Sequence, residues 1–495
     1  MTFAPTIGPA GEPPSRFSEP SSPVVRRGGR TYFVASLVSQ VSALVRSIVL
    51  ARLLGPEQMG LAQTLVVTAS FFDQISDTGA DRFLIQDRDG DTTEVQKVVQ
   101  LAYVGRGLMI ALGLLIVAIP VSHFFNAPRL AAGLAVFTVS PLIFGFLHLD
   151  MRRAQRWHDF RSEAVCMMVS EFTGLIATAI AAWLTRDFTA ILYGLITRAL
   201  VQVIVSHLRA ERPYALGWDR SHGARLARFA GPLMVSGLML FIGSQGDRVM
   251  VGKMLGIAAL GRYSVIILLI YYPSALLLRY IHAVYMPMVA AMRDDPAGRD
   301  RVSDRLGGQT QLLALGMAVG FALVAPLVVP WLYGRRYAES ALVIALIGIL
   351  QSTRFLINWP TTVALAMGQS RTVLISNASR LLVFPGAWIG FHVWHGLMGV
   401  VCGFLGGEVV SIAVALVLVN RDTDSSPRHG FDRFGLFLLT AGAIVGWNLA
   451  WPRLALVTGA AAACGTMALI AVCLLREKQT IRDLLQAVSR QVRRG

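Results

Sequence analysis

Apolar runs of about 20 residues, the length that crosses the hydrocarbon core of a bilayer, recur along almost the whole of this sequence. One such run fits a buried helix of a soluble domain; a long succession of them does not. Only 15% of the 495 residues are charged and 54% are hydrophobic, where a soluble protein carries roughly a quarter charged residues. The chain therefore reads as an all-α integral membrane protein of about fourteen transmembrane helices. Their approximate spans are 32–52, 61–80, 98–122, 130–149, 163–184, 188–208, 229–251, 263–287, 309–332, 338–366, 371–391, 396–419, 432–450 and 453–475. Asp73, Gln74 and Asp77 interrupt the second, and Pro360 is expected to kink the long tenth.

The net charge is +16. In a soluble protein it would suggest nucleic acid, but here the cations sit between apolar runs and report topology. With the N-terminus in the cytoplasm, the cytoplasmic segments hold Arg16, Arg26, Arg27 and Arg30, then Arg152, Arg153, Arg156 and Arg161. They continue with Arg209, Arg212, Arg220, Arg225 and Arg228, with Arg293, Arg299, Arg301 and Arg305, and with Arg421, Arg428 and Arg433. The opposite side holds far fewer: Arg129, Arg186, Lys253, Arg262, Arg335, Arg336 and Arg453. A miscount by one span would exchange rich and poor loops from that point on. The protein is thus expected in the bacterial inner membrane, with both termini cytoplasmic.

Residues 1–30, rich in Pro, Ser, Gly and Arg, read as a disordered cytoplasmic tail with no cleaved signal peptide. Residues 476–495 form a basic tail whose Ile481, Leu484, Leu485, Val488 and Val492 share a helical stripe. That pattern suits either a helix lying on the anionic inner leaflet or a solvated basic tail. Cys166, Cys402, Cys464 and Cys473 all lie in apolar runs, and no disulfide is expected.

The segment from Ala51, ARLLGPEQMGLAQTL, matches that from Gly252, GKMLGIAALGRYSVI, at a distance of 201 residues. Leu54 aligns with Leu255, Gly55 with Gly256, Met59 with Leu260 and Gly60 with Gly261. The copies follow spans one and seven, so six spans separate them and the two repeats share one orientation. This predicts two six-helix lobes, 31–208 and 229–419, related by a pseudo-two-fold axis along the membrane normal. A cytoplasmic linker, 209–228, joins them, and two further helices, 432–475, fall outside the repeat.

The stretches LLGPEQMG at 53–60, DTGADRFLIQ at 77–86 and DRVMVGKMLGIAALGRYSV at 247–265 resemble the polysaccharide transporters, Wzx-type flippases, of the multidrug/oligosaccharidyl-lipid/polysaccharide exporter superfamily. The resemblance covers roughly 31–419, and Asp247, Gly252, Gly256, Gly261 and Tyr263 stand where the family pattern places such residues. It implies two lobes around a V-shaped cavity that opens alternately to cytoplasm and periplasm. It also implies a polyprenyl-diphosphate-linked oligosaccharide as substrate. Membrane lipids, and a polysaccharide polymerase with its chain-length machinery, are the expected partners, with no nucleic acid.

Ionisable residues within membrane spans are costly and mark function by default. The deep arginines are Arg46, Arg106, Arg198, Arg279, Arg354 and Arg380, with Arg248 nearer the outer end of span seven. Guanidinium forks bind a diphosphate in a bidentate way. Arg46 and Arg279 are the first choices, because the first and eighth helices line the cavity in the resembled family. Against this stands structural pairing with Asp73, Asp77, Glu171, Asp247 or Glu408, or snorkelling, as for Arg52 at a helix end. Asp73 and Asp77, four residues apart, are expected to share a helix face, where they could partner Arg46 or hold a coupling cation; pairing is the preferred reading.

No segment is long enough to fold as a soluble catalytic domain, and no P-loop is present. His148 and Asp150, and His392 and His395, lack a third partner and read as interfacial. No metal or cofactor is implied, and the chain does not read as an enzyme. A cation-coupled drug antiporter of the same superfamily, or an enzyme that polymerises or ligates such sugars, are the competing readings. Reporter fusions at residues 20 and 485 test the topology: both should report cytoplasm, and a periplasmic signal from either defeats the scheme.

Overall fold

The computed structural model describes residues 23–157, 159–423 and 428–450, and all regular structure among them is helical. The first half comprises α1 (Pro23–Leu53), α2 (Pro56–Ile75), α3 (Ala80–Gln86), α4 (Thr93–Phe124), α5 (Arg129–Phe137), α6 (Val139–Gly145), α7 (Asp150–Gln155), α8 (Arg161–Thr185) and α9 (Ala190–Leu208). The second comprises α10 (Arg220–Leu255), α11 (Ile257–Ala291), α12 (Pro296–Tyr333), α13 (Ala341–Leu356), α14 (Asn358–Ala366), α15 (Ser370–Ser379), α16 (Val383–Trp394), α17 (Gly396–Thr423) and α18 (Arg428–Ala450). Among the described residues, eleven helices are long and apolar enough to cross a membrane. The protein is a multi-pass integral membrane protein. Its outward faces are apolar: Ile116, Leu184, Leu327 and Trp331 are at least two-thirds exposed, which only lipid would cover without cost. The fourteenth expected span, 453–475, and the tail 476–495 lie outside the described residues, as do Cys464 and Cys473.

Several boundaries differ from the sequence reading, each for a local reason. Helix α1 begins at Pro23, so residues 23–30 are helical rather than part of a disordered tail; proline is favoured at a first helical position. Helix α2 runs from Pro56 to Ile75 instead of 61–80. Its many polar side chains keep it out of the eleven. Asp77 falls beyond its end, so Asp73 and Asp77 do not share a helix face. The fourth span is two pieces meeting at Thr138, and only Arg129–Gly145 is apolar helix. The tenth breaks at Ile357, which puts Pro360 in the first turn of α14, where a missing N–H costs nothing. The eleventh breaks at a 3-10 turn, Arg380–Leu382.

The packing of the halves is the same. In the first, the neighbours run α1, α8, α9, α5–α6, α4, α2 and back to α1. In the second they run α10, α15–α16, α17, α13, α12, α11 and back to α10. Each half is thus a six-membered ring of spans, and the cyclic order is identical.

The loops segregate onto two faces. On one, Asp91 accepts from Arg153 and Arg212, Asp87 and Asp89 pair with Arg225, and Arg433 pairs with Asp304. Asp150 is held here as well: burial alone would raise its carboxyl, but Arg153 and the Glu211 N–H outweigh it and keep it below the ordinary value. On the other face, Gln58 accepts from the Phe188 N–H at 3.1 Å, Lys253 donates to the Phe124 carbonyl at 2.9 Å and Arg262 pairs with Glu339 at 2.6 Å. The first face is the arginine-rich one. Trp183, Trp331, Trp388 and Trp394, all exposed, cluster at helix ends near the second face, as interfacial tryptophans do.

The two rings also meet at the arginine-poor face. Arg52 does not snorkel freely: it donates to the carbonyls of Trp331 and Leu332 at the end of α12. The Tyr337 hydroxyl donates to the Leu54 carbonyl at 3.0 Å. Between these ties the repeated segments lie against each other. Any side chain at Gly60 would strike the Ile257 carbonyl, and any at Gly261 would strike the Pro56 carbonyl. Pro56 and Ile257 are 201 residues apart, the spacing of the matched segments, so the contact is reciprocal. Gly256 adds a turn at φ +86° that joins α10 to α11 without a Cβ penalty. Gly60→Val or Gly261→Val should each cost about 1–3 kcal/mol or more by overpacking. Thermal melting of the purified protein should fall by several degrees in each; unchanged melting in both would show that the backbones do not meet here.

Candidate functional site

Within the apolar core of each ring lie charged side chains. In the first ring, Glu171 on α8 is buried and sits between two arginines. Arg46 on α1 reaches it at 3.3 Å and Arg198 on α9 at 2.9 Å. In the second ring, Arg354 on α13 bridges Asp247 on α10 at 2.8 Å and Glu408 on α17 at 2.9 Å. Arg380, at the 3-10 break, grips both oxygens of Glu408 at 3.1 and 3.0 Å. The Tyr263 hydroxyl donates to Asp247 at 2.6 Å. Five spans of the second ring are tied by this one network. Arg248 instead meets Gln245, while its own N–H donates to Asp247 at 2.8 Å.

The two networks are charge-inverted copies. Arg46 and Asp247 are 201 residues apart, the spacing of the repeated motif. Glu171 and Arg198 are 27 residues apart on α8 and α9; Arg380 and Glu408 are 28 apart on the matching helices. Cation–anion–cation in the first ring becomes anion–cation–anion in the second, where Arg354 inserts as an extra cation. The second network is therefore balanced, two against two, whereas the first triad carries an excess positive charge.

That excess faces open space. Arg198 keeps 37% of its side chain exposed, and it lines a cavity of about 210 Å³ together with Tyr32, Arg152, Glu163, Gln202 and Arg279. Arg279 comes from α11 of the second ring and faces the first ring across this cavity. It is exposed, and it has no ion-pair partner among the described residues. Arg152, read from sequence only as a topology marker, pairs with Glu163 at 2.6 Å and places a third guanidinium in the lining. Helix packing brought it there; the one hint in the sequence is an acid eleven residues on. A second cavity, of about 290 Å³, lies inside the first ring and shares Arg198 and Gln202 with the first.

The carboxylates expected to serve Arg46 go elsewhere. Asp73 pairs with Arg106 at 2.6 Å, and Asp77 pairs with Arg82 at 3.2 Å while accepting the Gly79 N–H at 3.0 Å. Neither touches Arg46, because α2 ends before Asp77 and α8 interposes Glu171. His148 accepts the Asp150 N–H at 3.2 Å and contacts the Arg212 carbonyl, which ties two loops, while His392 stays on its own helix against the Trp388 ring and carbonyl. Among the described residues no cluster of His, Cys, Asp and Glu could hold a metal ion.

Comparison with known proteins agrees with this architecture. Residues 49–342 match the family described as "Polysaccharide biosynthesis protein". The chain belongs to this family. That stretch holds both repeat motifs, Arg198 and Arg279. Among curated relatives of the family member, the "Succinoglycan biosynthesis transport protein ExoT" of Rhizobium meliloti is 27% identical over 390 residues, covering 76% of this chain and 73% of that one. The "Lipopolysaccharide biosynthesis protein WzxC" of Escherichia coli is 22% identical, covering 81% and 82%. Among solved structures, the lipid II flippase MurJ in an inward closed conformation aligns with a TM-score of 0.66 at 12% identity, covering 91% of this chain and 99% of that one. An inward-facing multidrug transporter of the MATE family aligns at 0.63 and 15%, covering 79% and 98%. The fold of this family member is that of the superfamily to which the MATE transporter belongs.

Breaking a buried pair leaves an uncompensated charge and costs about 3–5 kcal/mol. Arg354→Gln strands Asp247 and Glu408, and should sharply reduce the amount of folded protein recovered from membranes. Arg354→Gln combined with Asp247→Asn should recover much of it, with folded protein measured by size-exclusion profile. If the single variant is as abundant as the wild type, the network does not hold the second ring together.

Proposed function

We propose that the chain flips a polyprenyl-diphosphate-linked oligosaccharide from the cytoplasmic to the periplasmic leaflet of the bacterial inner membrane, for the biosynthesis of a polysaccharide such as O-antigen, exopolysaccharide or capsule. The carrying observation is Arg279: an unpaired, exposed guanidinium that faces Arg198 and Arg152 across a cavity between the two rings. A permanent cation at membrane depth with no carboxylate partner is expensive. An anionic group delivered from outside the protein removes that cost, and a diphosphate offers bidentate acceptors to more than one fork.

The names of the succinoglycan and lipopolysaccharide relatives support the reading, as does a fold shared with a lipid II flippase. Reciprocal glycines and a common cyclic order support two six-helix lobes with a pseudo-two-fold axis along the membrane normal, to which we add a fourteenth span at 453–475. The cavity lies toward the arginine-rich face, where Arg152 lines it, and that face is cytoplasmic by the positive-inside rule. This is the orientation in which a loaded carrier would be received before alternating access turns the cavity outward. A drug antiporter would want free carboxylates in its cavity. Here Glu163 and Asp73, which line the two cavities, are each paired with an arginine, as are Asp247, Glu408 and Glu171, which favours the anionic substrate.

Arg279→Gln tests this. Loss of a charge-assisted hydrogen bond of about 1.5–3 kcal/mol corresponds to tenfold or more. Polymer export should drop by at least that factor at normal protein abundance, with the lipid-linked intermediate accumulating on the cytoplasmic leaflet. Arg279→Lys should recover part of it, keeping the charge but not the planar fork. Normal export in Arg279→Gln would place the substrate site elsewhere.

A further inference from the structure

We infer that the second cavity, inside the first ring, receives the sugar attached directly to the diphosphate. The inference rests on the flippase reading, and it assigns to that substrate's glycan a compartment apart from its phosphates. The cavity is walled by α2, α4, α5–α6 and α9, and it meets the arginine cavity at Arg198 and Gln202. A diphosphate held between Arg279 and Arg198 therefore has its next bonded group at the mouth of this space.

Most of the lining is apolar, with Val66, Ile110, Phe137, Phe144 and Leu195 offering a surface for the C–H faces of a sugar ring, and a smaller set of polar side chains suits its hydroxyls. Asp73 and Arg106 face the space as a compensated pair, 2.6 Å apart. Asp73 is nevertheless 67% exposed in its side chain, so one oxygen remains free to accept hydroxyl hydrogens. Arg106 also donates to the Ser76 carbonyl at 3.0 Å and the Asp73 carbonyl at 2.9 Å, which locks the pair against rotation. Ser70, Ser140 and Gln202 add small donors and acceptors, and Tyr103 an aromatic ring. A second phosphate would meet Asp73 and be repelled, since the charge of Arg106 is already spent on it. An apolar chain would leave that pair unsolvated. At about 290 Å³ the space sits at the small end of ligand pockets, which begin at about 300 Å³. That is room for one or two rings, not for a whole repeat unit.

The test uses the full chain in lipid nanodiscs and measures the binding of a C55 polyprenyl diphosphate, bare or carrying one glucose, galactose or N-acetylglucosamine. At least one sugar-bearing lipid should bind tenfold or more tightly than the bare one. Asp73→Asn should erase that advantage while bare-lipid affinity stays within about twofold. Ser140→Phe, which fills the space without touching a charge, should do the same and keeps the test valid if Asp73→Asn fails to fold. Arg279→Gln should weaken both lipids alike. The inference is overturned if the wild type does not distinguish the four lipids, or if Ser140→Phe weakens bare and sugar-bearing lipids equally. Either result leaves the flippase reading standing, provided that bare-lipid binding still depends on Arg279. Failure of every lipid to bind the wild type sinks that reading itself.

Discussion

Two glycines set the distance between the halves of this protein. Gly60 and Gly261 let α2 and α11 cross backbone to backbone, each glycine facing the other copy's equivalent of Pro56. Apolar side chains gain little by packing in lipid, where the surroundings are as oily as they are; close approach through small residues is what holds spans together there. The crossing lies at the arginine-poor face, where Arg52 and Tyr337 also bond to backbone carbonyls of the opposite half. Toward the other face α2 meets α10 just as closely: a side chain at Gly237 would strike the Gln74 carbonyl, and Arg225 pairs with Asp87 and Asp89.

Inside the rings, charged pairs are set into the hydrophobic core. A guanidinium that stayed unpaired in each ring would be prohibitive, and the chain answers with carboxylates shared between arginines: Glu171 between Arg46 and Arg198, Glu408 between Arg354 and Arg380. Sharing has opposite outcomes in the two halves. The network of the second ring is balanced and ties five spans. The triad of the first keeps one charge in excess, and Arg198 carries it to a cavity walled by α2, α4, α5–α6 and α9.

Much of this was legible before any coordinates. Hydropathy and loop arginines place the spans because backbone groups in lipid leave the chain no choice but the helix. The repeat is visible because a backbone-to-backbone crossing tolerates only glycine, so Gly60 and Gly261 survive where the apolar letters around them drift. The deep arginines are conspicuous for their cost. Their partners are not: whether Arg46 meets Asp73 or Glu171 depends on which helix lies beside α1, and ring order leaves no local trace in sequence. Asp77 misleads for a simpler reason, since α2 stops at Ile75 and a one-turn shift removes it from the membrane. Arg152 was hidden by its surroundings, one arginine among several in a loop that returns to the cavity wall.

The charge inversion between Arg46 and Asp247, 201 residues apart, means that the two halves are not interchangeable. Two identical halves would carry the same residue at this position twice, and both interiors would bear the same sign. A single chain can give its halves opposite charges there, so an anion that enters between them meets two chemically different walls.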